Sequence, residues 1–173
     1  FTNKAAREMG SRVEEFLGKT TRGLTLGTFH AICAKILRRE SEHLPFNNNY
    51  VIFDADDQIS IVKGVIKDLN LNDKLYRPHG VHASISNAKN ELILPDDFPV
   101  QTYRDEVVKR VYEQYQQALL TSNALDFDDL ILKTIEVFEN NPDVLDFYQR
   151  RFEYIMVDEY QDTNKAQYKL ISM

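Results

Sequence analysis

Tryptophan is absent from the 173 residues, cysteine occurs once, and proline and glycine are scarce at five and six. A single cysteine, Cys33, excludes an internal disulfide and is compatible with a reducing cytoplasm. Its neighbours Phe29, Ile32, Ile36 and Leu37 favour a packing role over chemistry. There is no apolar run long enough to span a membrane, no signal peptide, no internal repeat and no low-complexity tract. A soluble, cytoplasmic globular protein is therefore expected, with room for one ordinary domain or two parts of a larger one. A surplus of positive charge is also missing. The net charge is −6, which argues against a broadly basic nucleic-acid protein. The average hides an asymmetry, because residues 1–40 hold eight Lys/Arg against four Asp/Glu, whereas the remainder holds thirteen against twenty-three. A basic first segment suits contact with phosphates, and a solvated helix face explains it equally well.

The run Gly18-Lys19-Thr20 has the ending of a phosphate-binding loop. A complete P-loop needs a glycine five positions earlier, after a strand and opening into a helix, so that backbone N–H groups curl around the phosphates. Val13 stands at that position, and β-branched residues tolerate positive φ badly. Ala5, Met9, Val13, Phe16 and Leu17 instead form a helical apolar stripe, which puts Gly18 at a helix C-terminus.

Further along, Thr2 or Asn3 caps that first helix, and Leu24–His30 alternates as a short strand before a helix reaching Arg39. Lys35, Arg38 and Arg39 close this helix, where they serve its dipole or DNA. Residues 43–50 read as a connection, Asp54 as the cap of a helix with Ile59, Val62, Val65, Ile66 and Leu69 inward, and Pro78 as the first turn of another. A long helix with Tyr103, Val107, Val111, Tyr115 and Ala118 on one stripe follows the break at Leu94–Pro99, so residues 45–122 read as wholly helical. Asp126, Asp128 and Asp129 offer hard oxygen donors to a metal, but Asp126 as N-cap with Asp129 three positions on, stapled by Leu125 and Leu130, accounts for the spacing. Asn141 and Pro142 then end one helix and begin the next.

Tyr154–Val157 form an apolar run typical of a buried parallel strand, with Asp158 and Glu159 directly after it. In open α/β sheets ligands bind at the carboxyl ends of strands, where such carboxylates hold a divalent cation and activate water. The longer string "VDEYQDTN" resembles the Walker-B motif of the superfamily-one UvrD/Rep/PcrA-type DNA helicases. "FTNKAAREM" is similar to their motif Ia, "TFHAICAKILRR" to motif Ib, and "LDFDDLI" to the segment before Walker B. "FDADDQ", "SISNAKNEL" and "YQQALLTSNALDFDD" resemble the family's helical insertion, so the likeness runs in order over essentially the whole chain.

The resemblance implies a predominantly helical α/β fold: part of a RecA-like P-loop NTPase domain with a parallel sheet (1A, residues 1–42 and 124–173), interrupted by an all-helical 1B insertion (43–123). It implies an ATP-dependent 3′–5′ helicase of DNA repair or replication that couples ATP hydrolysis to movement along single-stranded DNA. By this likeness Asp158 holds Mg²⁺, Glu159 activates the hydrolytic water, and Gln161 and Asp162 couple nucleotide state to DNA. Phe1 matches the family aromatic that stacks on a base, a core aromatic being the other reading. Asn3 and Lys4 sit at a helix N-terminus suited to phosphate. Thr28 and His30 continue the single-strand track, though a lone His after a strand also suits a structural role. Lys89, in the insertion near the duplex junction, is the phosphate candidate there, with a solvated lysine as alternative.

A monomer is expected. The chain opens on Phe1 and stops at Met173 in an unfinished helical pattern, so an internal piece of a longer protein is expected, its P-loop upstream, and inactive alone with ATP and Mg²⁺ bound weakly or not at all. The competing readings are a recombination helicase–nuclease, a non-catalytic DNA-binding module, and a metal-dependent hydrolase built on Asp126–Asp129.

Overall fold

The computed structural model describes residues 2–18 and 23–173. Phe1, Lys19 and Thr20 thus lie outside the described residues. In chain order these form α1 (Asn3–Leu17), α2 (Phe29–Arg39), β1 (Val51–Ile52), α3 (Ala55–Asp68), α4 (Pro78–Asn90), α5 (Tyr103–Thr121), β2 (Ala124–Leu125), α6 (Phe127–Asn140), α7 (Pro142–Arg151) and α8 (Lys165–Ser172).

Local chemistry sets most helix starts. Asp54, Thr102, Asp126 and Asn164 each accept the backbone N–H three residues on, while the side chain at that position reaches back to the cap. Each such reciprocal box satisfies two N–H groups that a helix start otherwise leaves bare, and losing a cap costs about 1 kcal/mol. Pro78 opens α4, where its missing N–H costs nothing. Asn141 precedes α7 without a side-chain cap bond; its amide donates instead to the Val137 carbonyl at 2.9 Å. Gly18 ends α1 in the left-handed region at φ 61° and donates its N–H to the Glu15 carbonyl, the helix terminus expected from the apolar stripe. That stripe stays largely uncovered: α1 contributes no buried residue, and Phe16 is exposed.

Among the described residues, two apolar cores are present. Cys33, Leu37, Leu125, Leu130, Ile131, Ile135 and Phe138 belong to one, assembled from α2, α6 and their neighbours. Val62, Ile66, Val81, Ile85, Val111, Tyr115 and Leu119 belong to the other, from α3, α4 and α5. β2 joins them because successive strand residues face opposite ways: Ala124 is buried in the second core and Leu125 in the first. β1 and β2 pair in parallel, Val51 opposite Ala124 and Ile52 opposite Leu125. The Phe53 N–H extends the ladder to the Leu125 carbonyl at 2.9 Å.

Three expectations change. Residues 45–122 are not wholly helical, since β1 lies among them; two residues are too few to leave a periodic signal. Leu24–Thr28 form no strand, and Leu24 is 56% exposed. Tyr154–Val157 form no strand, with Tyr154 84% and Met156 95% exposed. Among the described residues no strand lies beside either segment, and a lone strand has neither ladder partners nor a surface to cover its apolar side chains. The parallel sheet that is present is therefore made by other residues than those expected.

Candidate nucleotide and DNA site

Tyr154–Val157 lead into a turn that exposes Asp158 and Glu159 side by side. Asp158 Oδ1 accepts the N–H of Glu159 at 3.0 Å, and Glu159 takes the left-handed conformation at φ 49°, ψ 44°. For a non-glycine residue this costs about 1–3 kcal/mol, and such strain gathers at functional sites. A single 3₁₀ turn, Tyr160–Asp162, carries Gln161 and Asp162, both exposed. Thr163 closes it by donating Oγ1–H to the Tyr160 carbonyl at 2.8 Å. The next residue, Asn164, caps α8 and donates its amide to Asn90 Oδ1 at 3.0 Å, tying the start of α8 to the end of α4. Two exposed, adjacent carboxylates supply the hard oxygens that Mg²⁺ prefers. Below them Ile155, Val157, Tyr160, Tyr168 and Ile171 line an open groove of about 380 Å³.

At the other end of the sequence, Thr2 caps α1 through Oγ1, which accepts the Ala5 N–H at 3.1 Å. Asn3 and Lys4 are the first two helical residues and are exposed, so their backbone N–H groups belong to the orphan set of a helix start. Thr28 caps α2 by accepting the Ala31 N–H at 3.2 Å. His30 follows inside α2 rather than after a strand, half-buried, its ring edge-on to Phe127 at 6.0 Å between centroids. Burial lowers its pKa and the Asp128 carboxylate opposes this, so the ring is uncharged at neutral pH. Of the basic trio closing α2, Arg38 donates to the carbonyls of Asn48 and Tyr50 at 2.6 and 2.9 Å and stacks over the Tyr50 ring. Arg39 lies over Phe147. Both therefore hold the fold together, a task beyond either role read from sequence.

Lys89 requires a correction. It is 1% exposed, and its Nζ donates to Asp126 Oδ2 at 2.6 Å and Asp129 Oδ1 at 2.8 Å. An ammonium enclosed between two carboxylates is not available to a phosphate. Asp126 also accepts the Tyr115 hydroxyl at 2.8 Å, and Ser86 donates to Asp128 Oδ2 at 2.6 Å. Burial works against the Lys89 charge, but Asp129 and Asp126 outweigh it and raise its pKa. Burial likewise pushes Asp126 up, yet Lys89 and the other donors prevail and hold it low. Asp129, with burial and the Asp126 charge against it, is raised. The capping geometry read for Asp126 and Asp129 is present, with Leu125 and Leu130 both buried beside it. With Lys89 between them these carboxylates do not suit a cation, and no three His, Cys, Asp or Glu among the described residues are grouped to hold a metal. Sequence did carry a sign of the burial, though not of the partners: Lys89 occupies the stripe begun by Val81, Ile85 and Ala88, an inward position on α4.

No helix among the described residues is long and apolar enough to cross a membrane. The family model for the UvrD/REP helicase N-terminal domain matches residues 1–173. The chain is 50% identical over 173 residues to the ATP-dependent DNA helicase PcrA of Bacillus subtilis, covering 99% of this chain and 23% of that protein. It is 46% identical to the ATP-dependent DNA helicase PcrA of Staphylococcus aureus, covering 100% of this chain and 24% of that protein. The chain thus spans about a quarter of the length of these relatives. A match over every residue, with the motifs in order, means that the chain belongs to the UvrD/REP helicase N-terminal domain family.

Proposed function

We propose that the chain forms the Walker-B and single-strand-track part of an ATP-dependent 3′–5′ DNA helicase of repair or replication. The observation that carries this is the pair Asp158–Glu159, exposed in a strained turn inside the string "VDEYQDTN", in a chain matched throughout by the family model. Asp158 is the residue to hold Mg²⁺, which when bound neutralises charge on the β- and γ-phosphates. Glu159 takes the proton of the attacking water, and Gln161 with Asp162 relays nucleotide state toward DNA. In this reading a 1A portion (1–42 and 124–173) carries a helical 1B insertion (43–123) beside the duplex junction; the separate core of α3, α4 and α5 favours an inserted helical unit, while Phe46 and Tyr50 pack in the first core.

Asn3 and Lys4 meet phosphates at the start of α1, where bare N–H groups and the helix dipole favour anions. Thr28 and His30 continue the track, His30 as a neutral hydrogen-bonding and stacking group. Phe1 is assigned to base stacking on the family likeness alone. Lys89 has no DNA role in this reading.

The chain contains no complete G-x-x-x-x-G-K-[ST] run, so phosphate binding must come from elsewhere in the full-length protein. Alone, the chain is expected neither to hydrolyse ATP nor to unwind DNA. In the full-length protein, Glu159→Gln should lower DNA-stimulated ATP hydrolysis by about 10²–10⁴-fold while leaving ATP binding in place. Undiminished turnover in that variant would remove Glu159 from the chemistry. Turnover by the isolated chain that Glu159→Gln abolishes would overturn the expectation of inactivity.

A further inference from the structure

The end of α4 carries two consecutive polar residues, Lys89 and Asn90, and neighbours on a helix point about 100° apart. Lys89 turns toward α6, where Asp126 and Asp129 grip it, whereas Asn90 turns toward α8. There Asn90 Oδ1 accepts the side-chain amide of Asn164 at 3.0 Å, and both residues are half-buried. Asn164 serves two partners at once. Its Oδ1 accepts the Gln167 N–H at 2.8 Å and its own N–H donates to Gln167 Oε1 at 3.1 Å, which leaves Nδ2 for Asn90. Serine or aspartate would cap α8 as well, but neither carries an amide to reach α4. The path from Asn164 back to Glu159 is short and internally bonded. The Asp162 N–H donates to the Glu159 carbonyl at 2.9 Å, and Thr163 Oγ1 donates to the Tyr160 carbonyl at 2.8 Å. A displacement of Asn164 is therefore passed on to the turn that presents Asp158 and Glu159.

We infer that Asn90 is a positioning residue for the proposed nucleotide site: by holding Asn164 it fixes the turn that carries Asp158 and Glu159, and so sets the rate of ATP hydrolysis without touching nucleotide. The kinetic half of this inference rests on the proposed roles of Asp158 and Glu159. Asn90 belongs to the helical segment between β1 and β2, whereas the turn follows both strands. That segment bears on the chemistry through a contact spanning 74 positions of sequence.

The test uses the full-length protein with Asn90→Ala, Asn90→Asp, Asn164→Ser and Glu159→Gln. Two readouts are taken: amide exchange over residues 158–168 by mass spectrometry, and kcat and KM for DNA-stimulated ATP hydrolysis. Asn90→Ala should speed exchange in that stretch and leave distant peptides as they were. It should also lower kcat about threefold or more, within the range of coupling between contacting residues. KM for ATP should change little, because phosphate binding comes from elsewhere in the full-length protein. Asn90→Asp keeps an acceptor for the Asn164 amide and should restore both readouts. Asn164→Ser keeps the cap of α8 but loses the reach to α4, and should match Asn90→Ala. Unchanged exchange in Asn90→Ala overturns the positioning, as does exchange that quickens throughout the protein. Faster local exchange with unaltered kcat, or a loss confined to KM, overturns the link to the chemistry. If Glu159→Gln hydrolyses ATP undiminished, the site assignment fails and takes the kinetic half with it. The exchange still decides whether Asn90 holds the turn.

Discussion

Replacing Lys89 by methionine tests the enclosed charge cluster most directly. Methionine matches the length of the lysine stem, so the change removes charge and hydrogen bonds with little change of volume. The side chains of Asp126 and Asp129 are each 2% exposed, and both would lose their ammonium partner. Asp126 keeps the Tyr115 hydroxyl and the Asp129 N–H; Asp129 keeps the Asp126 N–H. Breaking a buried pair by deleting one member costs about 3–5 kcal/mol, much of a typical total stability of about 5–15 kcal/mol. For a chain of this size that corresponds to a fall in Tm of about 6–20 °C. The loss should shrink as pH is lowered toward 4, because Asp129, already pushed up by burial and the Asp126 charge, takes a proton and ceases to be an unpaired ion. The double variant Lys89→Met/Asp129→Asn should be more stable than Lys89→Met alone, since it removes that ion altogether. Urea denaturation of the three proteins at pH 7 and pH 4.5 reads all of this. A loss below about 1 kcal/mol for Lys89→Met, or a double variant no more stable than Lys89→Met alone, would refute the reasoning.

Two further outcomes follow from burial of titratable groups. Burial pushes the Cys33 thiol up to about 12, and the residue is 0% exposed, so a disulfide reagent at pH 8 should label it only at the rate of unfolding; labelling as fast as for a free thiol would contradict the packing. His30 and His82 are both lowered by burial, so below the unfolded value of about 6.5 the unfolded chain binds more protons than the folded one. Stability contributed by the neutral rings is thus complete above that value and falls as pH drops toward 5. Urea midpoints should show this slope, and His30→Gln/His82→Gln should flatten it; an unchanged slope would assign the effect to other groups.

What could be read in advance was whatever a few neighbouring residues decide among themselves. Asp54, Asp126 and Gly18 declare helix ends through chemistry confined to four or five positions, and all three act as expected. The carboxylates of Asp158 and Glu159 were likewise visible as a string, though not the left-handed turn at Glu159. Pairing across long separations was hidden. Lys89 meets partners 37 and 40 positions away, so its exposure depends on how α4 lands on α6. Tyr154–Val157 carry strand-like residues, yet a strand exists only through its neighbours, and sequence alone does not report whether those are present.

The pairing of β1 with β2 has a consequence for how the molecule comes together. The side chains of Asn47 and Asn123, 76 positions apart, bond to each other at 2.6 Å beside that two-residue ladder. All of α3, α4 and α5 thus leave and rejoin the rest of the chain at one point. Closing a loop of that length costs about 4 kcal/mol of chain entropy, incurred before either strand gains its partner. The three helices form their own core from contacts within the loop, and this shortens the search for closure. Folding of this unit ahead of the strands is the order that such a closure favours. The ladder then acts as the clasp on a preformed bundle.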